Sequence, residues 1–231
     1  MRNIFSAALI AAALIIPTKG QAQNFAFGVG VGTLGAEAFA TRKITKNFDL
    51  LVGFSSLDYD DTFSDADKNS FVASATIEAP RIGIQFYPLS RWGMFMEGGM
   101  VFGAPEIGVE FKASETGSFE VGTQTYQTSE IGTLTGQAGF DEDVAPYVLF
   151  GLGRTVGGGL GLSLSVGAIS YGPLSADLKN SQCTLGSNPP ETLTACNLLQ
   201  TNILIEEARI NSDLEDFELW PFLRLGLSYS F

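Results

Sequence analysis

Acidic side chains that lie close together are the first candidates for ligand chemistry in this chain. Five aspartates fall within ten residues of the sequence: Asp58, Asp60, Asp61, Asp65 and Asp67. Carboxylate oxygens are the ligands that Ca²⁺ and Mg²⁺ prefer. The segment lacks the glycine and the terminal glutamate of an EF-hand loop, so two interpretations stay open. We expect a solvated acidic loop, and the alternative is a weak site for a divalent cation.

Histidine is absent from the sequence, which limits the kinds of enzyme that the chain could be. Most acyl-transfer sites need a base that titrates near neutral pH, and histidine supplies one without perturbation. Zinc bound by imidazole is excluded for the same reason, and two cysteines alone do not make a zinc site. A glycosidase with paired carboxylates is compatible with the 25 acidic residues, but no pair stands out. We therefore predict no enzymatic activity and no cofactor.

The elements that would position reactive side chains are strands, and the clearest of them is the last. From Phe217 to Phe231, apolar residues occupy alternate positions, with mostly small or polar residues between them. A period of two is typical of a strand with one apolar face, and this segment exceeds the roughly 9–11 residues of a tilted transmembrane strand. A soluble β-sandwich with an alternating final strand is the alternative.

The amino terminus has the features of a secretory signal peptide. Arg2 precedes an apolar run from Ala7 to Ile16, and the small residues Gly20 and Ala22 follow. Such a run is too short to span a bilayer as a helix, and no later segment offers 18 consecutive apolar residues. We predict a signal peptide over residues 1–22 and one mature domain over 23–231. Strands must then do any spanning, and only a closed barrel satisfies their backbone in lipid.

Short turns and long connections alternate along the mature chain. Strand patterns cover residues 25–41, 48–59, 71–87, 94–111, 144–154, 160–171 and 217–231. Bacterial single-chain barrels have even numbers of strands, so we predict eight. The additional strand would come from a split of the first segment at Thr33-Leu34-Gly35 or from residues 112–142. Short turns on one side and long loops on the outer side are typical of outer-membrane barrels.

Alternation assigns four charged side chains to the barrel interior: Glu78, Arg81, Glu97 and Arg224. Between residues 71 and 86 the apolar phase changes at Pro80, which has no N–H to donate. We therefore predict a bulge there that turns both Glu78 and Arg81 inward. Side chains just fill an eight-stranded barrel. We expect a closed cluster of salt bridges, and a narrow conductive path is the alternative.

Charge and cysteine content point to an exported protein that does not bind nucleic acid. Without Arg2 and Lys19 the mature chain has 11 basic against 25 acidic residues, a net charge of −14. Such a chain repels nucleic acid. Because an export signal precedes them, we predict a disulfide between Cys183 and Cys196. We also predict a helix between residues 197 and 214, with one apolar face formed by Leu199, Ile203, Ile210 and Leu214. This face either packs on the barrel of the same chain or binds a partner.

The final strand resembles the last strand of bacterial outer-membrane β-barrels. The resemblance implies that alternate residues near the carboxyl terminus form the signal that the barrel-insertion machinery reads: Leu225, Leu227, Tyr229 and Phe231. Other segments resemble a family of small proteobacterial outer-membrane proteins that are described as hypothetical barrels: Val31-Gly32-Thr33-Leu34-Gly35, Ile131-Gly132-Thr133-Leu134-Thr135-Gly136 and Val144-Ala145-Pro146-Tyr147.

This resemblance implies an all-β protein that forms a single antiparallel transmembrane barrel in the outer membrane, and it provides no catalytic residues. The barrel would contact outer-membrane lipid and lipopolysaccharide. A cation held by the acidic loop could bridge to lipopolysaccharide phosphates. We predict a structural or surface-interaction role, and the competing class is a transport protein for small solutes or ions.

Overall fold

The computed structural model describes residues 24–64, 70–89, 92–112, 118–121, 124–127, 133–181, 183 and 189–231. The predicted signal peptide lies outside these residues. The elements, in chain order, are β1 (Phe25–Gly32), β2 (Gly35–Lys43), β3 (Phe48–Ser64), β4 (Ser70–Leu89), β5 (Met94–Phe102), β6 (Glu106–Lys112), β7 (Ser118–Val121), β8 (Gln124–Gln127), β9 (Thr133–Phe140), β10 (Val144–Gly153), β11 (Gly159–Ser170), β12 (Leu174–Ser181), α1 (Pro189–Leu214) and β13 (Leu219–Ser230).

Eight antiparallel strands close into a barrel. The ring runs β1-β2-β3-β4-β5-β10-β11-β13, and β13 pairs again with β1. The predicted number of eight strands is confirmed. The additional strand comes from the first segment, because Gly32 pairs with Gly35 across a turn of only Thr33 and Leu34.

The two ends of the barrel differ in the length of their connections. Short turns join β2 to β3, β4 to β5 and β10 to β11 at one end, where the Phe231 N–H also donates to the Phe25 carbonyl at 3.3 Å. We call this the turn end: residues 42–49, 86–94 and 153–159 with residues 25 and 231. The opposite end, which carries the connections 103–143 and 171–218, is called the loop end.

The outward positions of the barrel strands form an apolar band. On β11 these are Leu160, Leu162, Leu164 and Val166, which alternate with inward positions such as the buried Ser163 and Ser165. The band continues across strand boundaries, because Leu164 is paired with Leu225 on β13 and with Leu152 on β10. Leucine and valine suit such positions, since a pleated strand sends alternate side chains to opposite faces.

The bulge predicted at Pro80 is absent. The β3–β4 register is continuous from Phe48 opposite Phe86 to Ser64 opposite Ser70, so alternation passes through Pro80 without interruption. Glu78 is therefore exposed on the outer face, whereas Arg81 faces inward. The apolar phase changes because the environment changes. On the side of Pro80 towards the turn end, the apolar residues of β4 cover the outside of the barrel. On the side towards the loop end, they face protein, as the buried Ile77 does.

At the loop end, the sheet extends beyond the barrel. We call this extension, formed by the ends of β3 and β4 with β6, β9 and β12, the loop-end layer. β3 and β4 continue beyond the barrel, and β6, β9 and β12 add to β4 in that order. The aspartate segment that was expected to be a loop is therefore strand as far as Ser64, while Asp65 and Asp67 lie outside the described residues. Tertiary pairing with β4 outweighs the low strand propensity of aspartate.

Helix α1 covers the edge of this layer. Asn211 bonds both backbone groups of Ala176 on β12, accepting at 2.6 Å and donating at 3.0 Å, and Glu207 accepts from the Leu178 N–H at 3.0 Å. Of the predicted apolar face, Leu199 and Ile203 are buried near Leu178, whereas Ile210 and Leu214 are only half-buried. The helix thus caps an open strand edge, which would otherwise pair with other chains. It is not apolar over enough of its length to cross a membrane.

Cys183 and Cys196 form the predicted disulfide, which ties the end of β12 to α1. Replacing both cysteines with serine should leave the barrel intact, because the bridge stabilises only the loop-end layer, by about 3 kcal/mol at most. Trypsin should then cut faster after Arg209, while the shift between unboiled and boiled protein on SDS gels stays unchanged. Loss of that shift in the double variant would show that the bridge supports the barrel itself.

Candidate functional site: a charged layer inside the barrel

Four charged side chains from four strands meet in the middle of the lumen. They are Glu37 on β2, Arg81 on β4, Glu97 on β5 and Arg224 on β13, and their side chains are 0–3% exposed. Two positive and two negative charges make this layer neutral. Buried charges are tolerated when they are paired and hydrogen-bonded. All four charges are paired here, and the exception to full hydrogen bonding is Arg224 Nη1, which lies 3.8 Å from Glu37 Oε1 and has no hydrogen-bond partner among the described residues.

Arg81 is the centre of the layer. Its guanidinium donates to Glu37 Oε1 through Nε at 2.9 Å and through Nη2. Nη1 donates to Glu97 Oε1 and, at 3.1 Å, to the hydroxyl of Tyr147 on β10. One arginine therefore joins β2, β4, β5 and β10 across the lumen.

Glu97 receives donors from several directions. The Tyr147 hydroxyl donates to Oε1 at 2.8 Å, and Gln85 Nε2 donates to Oε2 at 2.8 Å. Arg224 Nη2 reaches Oε2 at 3.3 Å, while Arg224 Nε donates to Ser165 Oγ at 3.3 Å. With both oxygens occupied, Glu97 is a structural acceptor.

Two glycines make room for these large side chains. A Cβ on Gly53 would lie 2.7 Å from Glu37 Oε1, in the gap between Glu37 and Arg81. A Cβ on Gly83 would lie 2.0 Å from the Tyr147 hydroxyl. Because real carbon atoms do not approach so closely, the charged layer depends on glycine at the positions beside it.

An apolar layer closes the lumen on the loop side of the charges. Leu34, from the two-residue turn between β1 and β2, is buried with Ile77, Val101, Ile169, Tyr171 and Phe222. The turn is held down by Thr33, whose Oγ1 donates to the Pro221 carbonyl at 2.7 Å. The rings of Phe222 and Tyr147 lie 5.5 and 5.7 Å from the Arg81 guanidinium, within cation–π range.

A polar layer fills the lumen on the turn side. Gln85 Oε1 accepts from the hydroxyls of Tyr87 at 3.1 Å and Thr155 at 3.0 Å. Thr155 and Val156 are buried although they belong to the turn between β10 and β11. The turn therefore folds into the mouth of the barrel, and Arg154 lies over the Tyr87 ring at 5.5 Å.

The structure brings together three of the four charges that alternation assigned to the interior: Arg81, Glu97 and Arg224. Glu78 belongs to the opposite face. Glu37 completes the network, and sequence reasoning missed it. The signal was available, because Glu37 falls between Ala36 and Ala38, which alternation places on the outer face of the second strand.

The aspartates of β3 do not converge on one point within the described residues. Asp58 and Asp60 face one side of the extended sheet, and Asp61 faces the other. Asp61 accepts from the Tyr59 hydroxyl at 2.9 Å and from the Thr62 N–H at 2.8 Å. The hydrogen bond to Asp61 raises the pKa of Tyr59. No group of three or more acidic or cysteine side chains suited to a metal ion occurs in the described part of the chain.

Comparison with known proteins identifies a shared fold. No protein-family model and no curated protein sequence matches this chain. Among solved structures, CarO from Acinetobacter baumannii is similar, with 19% identity and a TM-score of 0.59 over 90% of this chain and 97% of that one. CarO2 from Acinetobacter baumannii has 16% identity and a TM-score of 0.60 over 90% and 98%. At these identities the likeness concerns the fold, so the chain shares the β-barrel architecture of the CarO structures.

Proposed function

We propose that this protein is an integral β-barrel of the bacterial outer membrane with a closed lumen and a structural or surface-interaction role. The observation that carries the proposal is the combination of an apolar outer band with a lumen whose central charges are almost wholly buried. Such a band is stable only against lipid, since it would expose many large apolar side chains to water. The CarO proteins of similar fold are outer-membrane proteins, which supports the proposed location.

A charge placed at the middle of the band tests the membrane location. Leu164 lies near the centre of β11 and is 52% exposed. Its replacement by arginine should lower the free energy of unfolding in lipid vesicles by about 2–4 kcal/mol. Leu160→Arg, on the same face at the turn end, should cost about 0–1 kcal/mol because arginine there reaches the membrane surface. Urea unfolding measures both. Equal costs at the two depths would contradict a bilayer around this band.

The buried charges support a closed barrel rather than a permanently open one. A channel would need a continuous polar path through the lumen. Here the apolar layer blocks the path between the charges and the loop end, and the folded-in turn blocks it at the turn end. A non-enzymatic role agrees with the hydrogen-bonded state of Glu37 and Glu97. A narrow channel for ions or small solutes is the second candidate, and the charged composition of the central layer favours it.

Planar-bilayer conductance of the refolded protein separates the two candidates. We expect the native barrel to show no steady conductance. A variant with Glu97→Ser and Arg224→Ser removes one charge of each sign and two large side chains, but it keeps the apolar layer and the folded-in turn, so it should also stay closed. Stable, ion-selective openings of the native protein at low voltage would instead establish the channel.

A further inference from the structure

The turn end of the barrel carries an exposed rim in which cationic and apolar side chains are mixed. Arg42 and Lys46 are exposed, as are Ile44 at 57% and Trp92 at 76%. These four residues, called the cationic rim below, lie in or beside the turns between β2 and β3 and between β4 and β5. Just inside it, Phe48 and Phe86 stack at 4.9 Å as the last members of the outer apolar band.

Hydrogen bonds hold the two turns side by side. The Tyr87 N–H donates to the Asn47 carbonyl at 2.8 Å, and Asn47 Nδ2 donates to the Tyr87 carbonyl at 2.6 Å. Within the first turn, Thr45 Oγ1 accepts from the Phe48 N–H at 3.1 Å. The rim is therefore a preorganised surface, which lowers the entropic cost of binding a ligand there.

The charge of the rim is opposite to that of the loop end. Among the described residues of the turn end, Asp49 is the one acidic side chain, and it is buried and faces the lumen beside its cross-strand neighbour Lys43. The connection 171–218 at the loop end contains eight acidic and two basic residues, and 103–143 contains eight acidic residues and one lysine. An anionic surface is thus attracted to the turn end and repelled from the loop end.

We propose that the cationic rim binds the headgroups of anionic phospholipids in the inner leaflet of the outer membrane. This inference rests on the proposed membrane location. Arg42 faces outward at the edge of the apolar band, where a phosphate would lie, and Lys46 projects from the neighbouring turn. Trp92 and Ile44 suit the boundary between headgroups and acyl chains, because tryptophan is enriched at membrane interfaces. A basic residue near an anionic lipid surface can enrich that lipid up to about five-fold.

Trp92 provides the probe, because the chain has only two tryptophans. Trp220→Phe leaves Trp92 alone and loses no described hydrogen bond, since the Trp220 N–H has none. This protein would be refolded into vesicles of phosphatidylcholine and phosphatidylglycerol in fixed proportion. Two samples would be compared, one with brominated acyl chains on the phosphatidylcholine and one with them on the phosphatidylglycerol, at the same mole fraction of brominated lipid. We expect quenching of Trp92 to be at least about two-fold stronger from brominated phosphatidylglycerol, and the difference to shrink in high salt.

Matched variants distinguish binding at the cationic rim from a general electrostatic attraction between anionic lipid and the protein. Arg42→Gln with Lys46→Gln should equalise quenching by the two lipids. Lys43→Gln, next to Arg42 at the end of β2 but facing inward, should retain the difference. The proposal would be overturned if both lipids quenched Trp92 equally with Arg42 and Lys46 in place. It would also be overturned if the difference between the two lipids persisted without these two residues. Absence of quenching by both lipids would instead contradict the membrane location itself.

Discussion

Replacing Glu97 with alanine should destabilise the barrel by about 3–5 kcal/mol, because Glu37 would be the one carboxylate left to two buried arginines within the described part of the chain. The substitution also removes the acceptor for Gln85 Nε2 and the Tyr147 hydroxyl. Urea unfolding in lipid vesicles, followed by tryptophan fluorescence, measures the change. We expect the unfolding midpoint to fall without loss of the native gel mobility at low urea.

Two further variants show whether charge pairing is the cause. Glu106→Ala removes an exposed carboxylate on β6 and should change stability by no more than about 0.5 kcal/mol. Combining Glu97→Gln with Arg224→Gln restores neutrality and should be less destabilising than Glu97→Gln alone. If Glu97→Ala remained within about 1 kcal/mol of the native protein, the charged layer would not stabilise the barrel in the way proposed.

Deletion of Phe231 should reduce the protein in the outer membrane to a small fraction of its normal level and direct the remainder to periplasmic degradation. The resemblance to outer-membrane barrels assigns this residue to the insertion signal. Its contacts with other described residues are few: the N–H bond to the Phe25 carbonyl at 3.3 Å, and edge contacts with Phe27 at 6.1 Å and Tyr229 at 5.3 Å. The expected defect is therefore in assembly in the cell rather than in stability. Membrane fractionation with immunoblotting measures it.

Refolding in detergent separates these two effects. The protein without Phe231 should still refold and show the gel shift of a closed barrel. Phe27→Ala removes the same ring contact but keeps the carboxyl terminus, so its level in the outer membrane should stay near normal. Normal levels after deletion of Phe231 would refute the assigned role of the carboxyl terminus.

The sequence by itself determined the barrel and the facing of its cleanest strands. In β11 and β13 each outward position is apolar and each neighbour is mostly small or polar, so a single register satisfies both faces. The same alternation placed Glu97 and Arg224 inward, and the Thr33-Leu34-Gly35 segment indicated the eighth strand. These features depend only on neighbours along the chain, which is why local pattern was sufficient.

Tertiary structure decided the features that depend on what surrounds a strand. The apolar phase change at Pro80 is not a bulge, because β4 leaves the band beyond that point and its apolar residues face protein instead. For the same reason Glu78 lies outside the lumen. Glu37 joined the charged layer because closure of the ring brings β2 across from β4, β5 and β13. Alternation tells which face a side chain occupies, whereas closure of the barrel determines which side chains meet there.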